Sequence, residues 1–251
     1  MNRFRGASPT LSRYIQEVEE ATHRKVEIAP YPDATADEQG HASLQIGPGI
    51  SHIDIRFRPV RPLSDESTER AVAHELTHAL MVYSQGFHIP WAPSDVPQKA
   101  VQLATDIVDL VDDIIVDISI HRRGFNIATP DRIGAFQHNL ETLQLARTAA
   151  QIDPHEPDPI RGEIRLVSDY MYAWALWKYA QLPPLARGIF KRFVRRFPEL
   201  LKAEFAKAKV IKKSFLANDI FSVDGRTRTV IEAQSLRPVD ERIYLAAIVA
   251  A

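Results

Sequence analysis

His74, Glu75 and His78 stand in the order H-E-L-T-H, and no other stretch combines residue types and spacing so suited to chemistry. On a helix, positions i and i+4 share a face, so the two imidazoles would sit one turn apart and could each give a ring nitrogen to one Zn²⁺. The carboxylate between them is placed to act as general base. Glu75 would take a proton from a zinc-bound water that attacks a carbonyl polarised by the metal, and would later protonate the leaving amine. The bland alternative makes both histidines ordinary polar groups on a half-buried helix.

Such chemistry needs a helix under the motif and a framework to hold it. Ala71, Val72, Leu76, Ala79, Leu80 and Tyr83 recur at helical spacing over residues 64–85, with N-cap chemistry in Ser64, Ser67 and Glu69 and a stop at Gly86. Upstream, residues 9–23 read as an amphipathic helix with Leu11, Tyr14, Ile15 and Val18 on one side, and residues 25–29 as a strand. Residues 42–46 and 52–57 flank Gly47-Pro48-Gly49 and predict an antiparallel hairpin, after which Pro59 and Pro62 mark the exit from the sheet.

Two histidines do not hold catalytic zinc alone, so a third protein ligand must come from elsewhere. A metzincin would place a histidine at position 84, which is Ser84 here, and His88 falls too far along. Distant His88, His121 and His155 form a second class of donor, His121 foremost because it lies four residues after Asp117. The third class is acidic. Residues 97–123 predict a long helix ended by Gly124, and it carries Asp106, Asp109, Asp112, Asp113 and Asp117 with no basic residue among them. Like charges so close repel, so the helix predicts a cation, a positive partner or open water beside it. Asp113 and Asp117 share one face, and Asp109 with Asp113 repeats that spacing one turn earlier, so Asp109 is the alternative ligand.

Together H-E-L-T-H and Asp113-Ile114-Ile115-Val116-Asp117 resemble the gluzincin branch of zinc peptidases, over about residues 42–124. The resemblance implies that Asp113 is the third zinc ligand. It implies too that Asp117 accepts a hydrogen bond from His74 and fixes its tautomer. Gluzincins usually supply glutamate where this chain has Asp113, a shorter arm that demands closer approach of the helices. The family also implies an edge strand at residues 52–57, with an extended peptide pairing along 53–58.

The fold expected is α+β and predominantly helical. A small antiparallel sheet packs on the motif helix and the acidic helix, in a zincin-like catalytic domain over residues 1–125; a mainly helical region over 126–251 packs on it as one unit. Helices are expected near 130–151, 160–181, 184–196 and 198–213. Val223-Asp224-Gly225-Arg226 reads as a turn between strands at 220–223 and 227–231. An oxyanion donor is sought among Tyr83, His88, Tyr170, Tyr172 and His155, though core packing is the ordinary role for rings in the aromatic stretch with Trp174, Trp177 and Tyr179.

Composition bounds the partners. The 251 residues, 45% of them hydrophobic, can bury a proper core, and no cysteine is present, so a metal must use histidine and carboxylate ligands. With 31 basic and 32 acidic side chains the net charge nominates neither nucleic acid nor a membrane surface. Ten basic residues crowd residues 187–213, interleaved with phenylalanine and leucine; the solvated face of an amphipathic helix explains them better than nucleic-acid binding. Without a signal peptide or a spanning segment, a cytoplasmic location is the default. The function expected is zinc-dependent hydrolysis of a peptide or protein substrate, against a non-proteolytic zinc-containing recognition module or a hydrolase of nonpeptide amides.

Overall fold

The computed structural model describes residues 6–30, 42–44, 51–57, 65–145, 159–235 and 239–246. Among them the class is α+β and predominantly helical, with eight helices and five short strands. The chain divides into two compact units, residues 1–87 with 119–129 and 247–251, and residues 88–118 with 130–246.

In the first unit, α1 (Pro9–Thr22) starts at Ser8, whose Oγ accepts from the Leu11 N–H at 3.1 Å, with Pro9 in the first turn where its missing N–H costs nothing. Its buried residues are Leu11, Tyr14, Ile15, Val18 and Thr22, the face the sequence spacing predicts. β1 (Lys25–Pro30), β2 (Ala42–Leu44) and β3 (His52–Phe57) form one sheet in the order β1-β3-β2. The β2–β3 pairing is antiparallel, as expected, with Leu44 opposite Ile55; β1 adds in parallel, Lys25 opposite His52, so the sheet is mixed. The turn at Gly47-Pro48-Gly49, Pro59 and Pro62 lie outside the described residues.

The expected edge strand is a correction. β3 is the centre of the sheet: β1 pairs along its length and β2 along Ile55–Phe57, so over Ile55–Phe57 both sides of its backbone are engaged and a substrate strand cannot add there as on an edge. Ile53 and Ile55, fully buried, give β3 the apolar side chains that a central strand needs.

α2 (Glu66–Tyr83) carries the motif. Its N-cap is Asp65, whose Oδ1 accepts from Ser67 N–H at 3.1 Å and Thr68 N–H at 3.3 Å; Ser64, the cap expected from sequence, lies outside the described residues. At the far end Gly86 turns the chain at φ 73°, a conformation glycine adopts without strain, and Phe87 N–H returns to the Met81 carbonyl at 3.0 Å. α3 (Gln98–Arg122) ends in a Schellman motif: Phe125 N–H bonds the Ile120 carbonyl at 3.1 Å and Gly124 N–H that of His121 at 3.0 Å, with Gly124 at φ 93°.

The second unit holds α3 up to Ile118, α4 (Pro130–Leu145), α5 (Pro159–Tyr179), α6 (Pro184–Leu200), α7 (Lys202–Ala217) and α8 (Val223–Gln234). Its core is aromatic. Phe136 meets Phe190 edge-on at 4.7 Å and stacks on Tyr172 at 5.8 Å, while Trp174 packs edge-on against Phe215. α6 turns Ile189, Phe190, Phe193 and Phe197 inward and Arg187, Arg192, Arg195 and Arg196 outward, the split of an amphipathic helix. Pro198 stays inside α6, and the break comes instead at Leu201. β4 (Ile89–Trp91) and β5 (Tyr244–Ala246) form a second, antiparallel sheet that no sequence pattern announces.

The predicted hairpin at 220–231 is a helix. Ser222 caps α8 by accepting from the Gly225 N–H at 3.1 Å, and Arg226, Thr229, Val230 and Ala233 follow at helical spacing on the buried side. Gly225 sits so close to Asp219 that an added Cβ would collide with that residue's backbone carbonyl. Gly225→Ala should therefore destabilise the protein by roughly 1–3 kcal/mol, lowering the melting temperature by about 2–12 °C; an unchanged melting curve would refute the close-approach account.

Candidate metal centre

Burial selects the face that α2 presents. Ala71, Val72, Ala73, Leu76, Thr77, Ala79 and Leu80 are buried around the helix, whereas His74, Glu75 and His78 are only half-buried and share one strip. Thr77 fixes the helix against α1. Its hydroxyl donates to the Ala73 carbonyl at 2.8 Å, so the Tyr14 hydroxyl, 2.6 Å away, must donate to the Thr77 oxygen. Burial holds that phenol protonated, its pKa pushed up to about 12. Glu69 accepts from the Ser8 N–H at 2.8 Å and ties the start of α1 to the first turn of α2.

The two imidazoles converge. His74 Nε2 and His78 Nε2 lie 3.1 Å apart, with ring centroids at 4.8 Å. Two nitrogen lone pairs at that distance repel unless a positive centre lies between them, either the proton of one neutral ring or a metal ion. Nitrogens each about 2.0–2.1 Å from one tetrahedral zinc would be roughly 3.3 Å apart, so the pair already has the spacing of two zinc ligands. Two imidazoles at that spacing supply half of the ligands of a tetrahedral zinc site. Of the candidates for a third ligand, Asp113, Asp109 and His88 belong to the second unit, and His121 to the same unit as the two histidines.

Three of the five aspartates of α3 find arginine partners on later helices. Asp106 pairs with Arg161 at 2.8 Å, and Asp112 takes the Arg226 guanidinium through both oxygens, at 2.7 and 2.5 Å. Asp117, fully buried, accepts from the Tyr172 hydroxyl and from Arg132, whose guanidinium lies 4.4 Å over the Tyr172 ring. Burial works against the charge on Arg132, but the Asp117 carboxylate, Tyr172 and Asp113 outweigh it and hold the guanidinium above its ordinary range. Asp109 and Asp113 border a cavity of about 280 Å³ with Leu110, Ile164, Arg165 and Ser168.

Of the oxyanion donors considered, Tyr172 spends its hydroxyl on Asp117. Tyr170, 2% exposed, packs among Phe197 and Phe205, where burial raises its pKa. Tyr83 lies under the Arg24 guanidinium at 4.3 Å, and His155 is outside the described residues. Arg132, Arg161 and Arg226 went unnoticed in the sequence, since each meets its aspartate 15 to 114 residues away and no local spacing records that.

No family model, curated protein or solved structure matches this chain. Among the described residues no helix is long and apolar enough to cross a membrane.

Proposed function

We propose that the protein is a zinc-dependent hydrolase of peptide bonds, with His74, His78 and Asp113 as the metal ligands and Glu75 as the general base. The convergence of the His74 and His78 nitrogens at 3.1 Å, on a helix that carries Glu75 between them, is the observation that supports this reading most strongly. A zinc ion held there would supply Lewis-acid polarisation of the scissile carbonyl and acidify the attacking water. Glu75 takes the proton from that water as its oxygen bonds to the carbonyl carbon, and delivers the proton to the amine nitrogen as the C–N bond breaks. Asp113 offsets one of the two positive charges, which keeps the centre electrophilic. In this proposal Asp117 orients His74 from the far side, anchored meanwhile by Arg132 and Tyr172.

Metal stoichiometry and affinity test the ligand set. The parent chain should take up one zinc per molecule, His74→Ala, His78→Ala and Asp113→Asn should each weaken zinc by more than the 10–100-fold typical of a lost supporting contact, and Asp109→Asn should leave zinc in place. A parent that binds no zinc, or an Asp109→Asn variant weaker than Asp113→Asn, would overturn the assignment.

A further inference from the structure

In the second unit Arg132, Arg161, Arg226 and Arg242 each meet a carboxylate, on Asp117, Asp106, Asp112 and Asp240. α6 departs from that pattern. It carries Arg187, Lys191, Arg192, Arg195 and Arg196 against a single acid, Glu199, which takes Arg196 at 2.6 Å. Among the described residues no carboxylate pairs with Arg187, Lys191, Arg192 or Arg195.

Spacing makes one surface of these cations. Arg187, Lys191 and Arg195 stand at i, i+4 and i+8, a row about 12 Å long at 1.5 Å per residue, and Arg192 with Arg196 forms a second row beside it. The four arginines are exposed and Lys191 is half-buried. This face cannot turn inward, because the opposite side of α6 is committed to the core through Ile189, Phe190, Phe193 and Phe197. Like charges one turn apart repel, and an anionic surface laid against them relieves the repulsion.

Leu185 distinguishes a lipid surface from a nucleic acid. It is 68% exposed and precedes Arg192 by seven residues and Arg196 by eleven, so it shares their face. A leucine among cations gains nothing from a phosphate backbone, whereas at a bilayer surface it can enter the boundary between headgroups and acyl chains while the guanidiniums stay with the headgroups. α6 also offers no outward ring on which a base could stack, since its three phenylalanines are buried. The near-neutral charge of the whole chain does not oppose this, because screening at physiological salt limits what a surface senses to about 8 Å.

We infer that the outward face of α6 docks the protein on a membrane surface rich in anionic lipid, with its five cations against the headgroups and Leu185 seated at the acyl boundary. The attachment is peripheral and independent of the metal centre.

Sedimentation of the full chain with vesicles tests this, using phosphatidylcholine alone and two parts phosphatidylcholine to one part phosphatidylserine. The protein should sediment with the mixed vesicles, stay in solution with phosphatidylcholine, and be released at about 1 M salt, where the screening length falls to about 3 Å. The triple variant Arg187→Gln, Lys191→Gln, Arg195→Gln should bind on the order of a hundredfold more weakly, about fivefold per charge, and Leu185→Asn about tenfold more weakly. Both variants should keep the parent's melting curve, since every substituted side chain lies on the outward face. No sedimentation with mixed vesicles, sedimentation indifferent to phosphatidylserine, or a folded triple variant that binds as the parent does overturns the docking face. A short DNA duplex is the rival ligand: tighter binding to it than to the mixed vesicles, unaffected by Leu185→Asn, would give this face to nucleic acid and sink the proposal.

Discussion

Replacing Glu75 by glutamine should lower kcat/KM for peptide cleavage by on the order of 10²–10⁴, the share that a positioned acid–base group contributes, while zinc content stays at the parent level. Glutamine keeps the shape of the side chain and its carbonyl acceptor but cannot take up a proton. In barrier terms that loss is about 2.7–5.5 kcal/mol. Glu75 stands between the two imidazoles on the half-buried strip of α2, so the change removes no buried apolar contact and should leave the fold as it is. Metal analysis and a steady-state cleavage assay on the same preparation decide the matter. A variant that retains zinc and cleaves as fast as the parent would show that Glu75 moves no proton. A variant that loses zinc together with activity would assign Glu75 to metal binding instead. Chelation of the parent provides an independent arm, since loss of cleavage without loss of fold marks a metal that serves catalysis.

The parts of the fold legible in the sequence are those written in local periodicity. α1, α2 and α3 follow from apolar residues at helical spacing, and the α2 and α3 ends from Gly86 and Gly124, because a left-handed residue after a helix is a local requirement. Strand β3 is equally local, its Ile53 and Ile55 alternating with Asp54 and Arg56. Its neighbour on the other side is not: β1 joins it in parallel, and parallel pairing needs a long crossover that leaves no turn signature. The misreading of residues 220–231 has a similar origin. Asp224-Gly225 resembles a hairpin turn only when the contact made by Gly225 with the Asp219 backbone is unknown, since that contact, rather than a positive φ, is what requires glycine there.

The candidate site divides along the same line. His74, Glu75 and His78 are one turn of one helix, and their arrangement could be read directly. Asp113 came from resemblance, and the five aspartates of α3 supplied only the expectation that positive charge lies nearby. Which positive charge depends on α4, α5 and α8, whose register on α3 is a property of the assembled unit. Three of the five aspartates turn out to have arginine partners, so the acidity of α3 is mostly the internal half of a set of ion pairs.

Of those pairs, Arg226 with Asp112 should dominate stability. Arg226 is fully buried and Asp112 is 6% exposed, so neither charge has water to fall back on. The two groups meet in a bidentate geometry at 2.7 and 2.5 Å that joins α8 to α3. The attraction gained on forming such a pair is largely offset by the desolvation of its members, but removing one partner leaves the other charge buried without its counter-ion. Asp112→Ala and Arg226→Ala should therefore each cost about 3–5 kcal/mol, a fall in melting temperature of roughly 6–20 °C for a chain of this size. The double variant Asp112→Leu with Arg226→Met should recover most of that loss, because apolar side chains of similar volume avoid the desolvation altogether. The coupling energy from a cycle closed by the Asp112→Ala, Arg226→Ala double variant separates the pair from the packing that each side chain provides. Single variants within about 0.5 kcal/mol of the parent, the range of ordinary surface changes, would mean that the charge left behind reaches water and that α8 is held to α3 by its apolar residues alone.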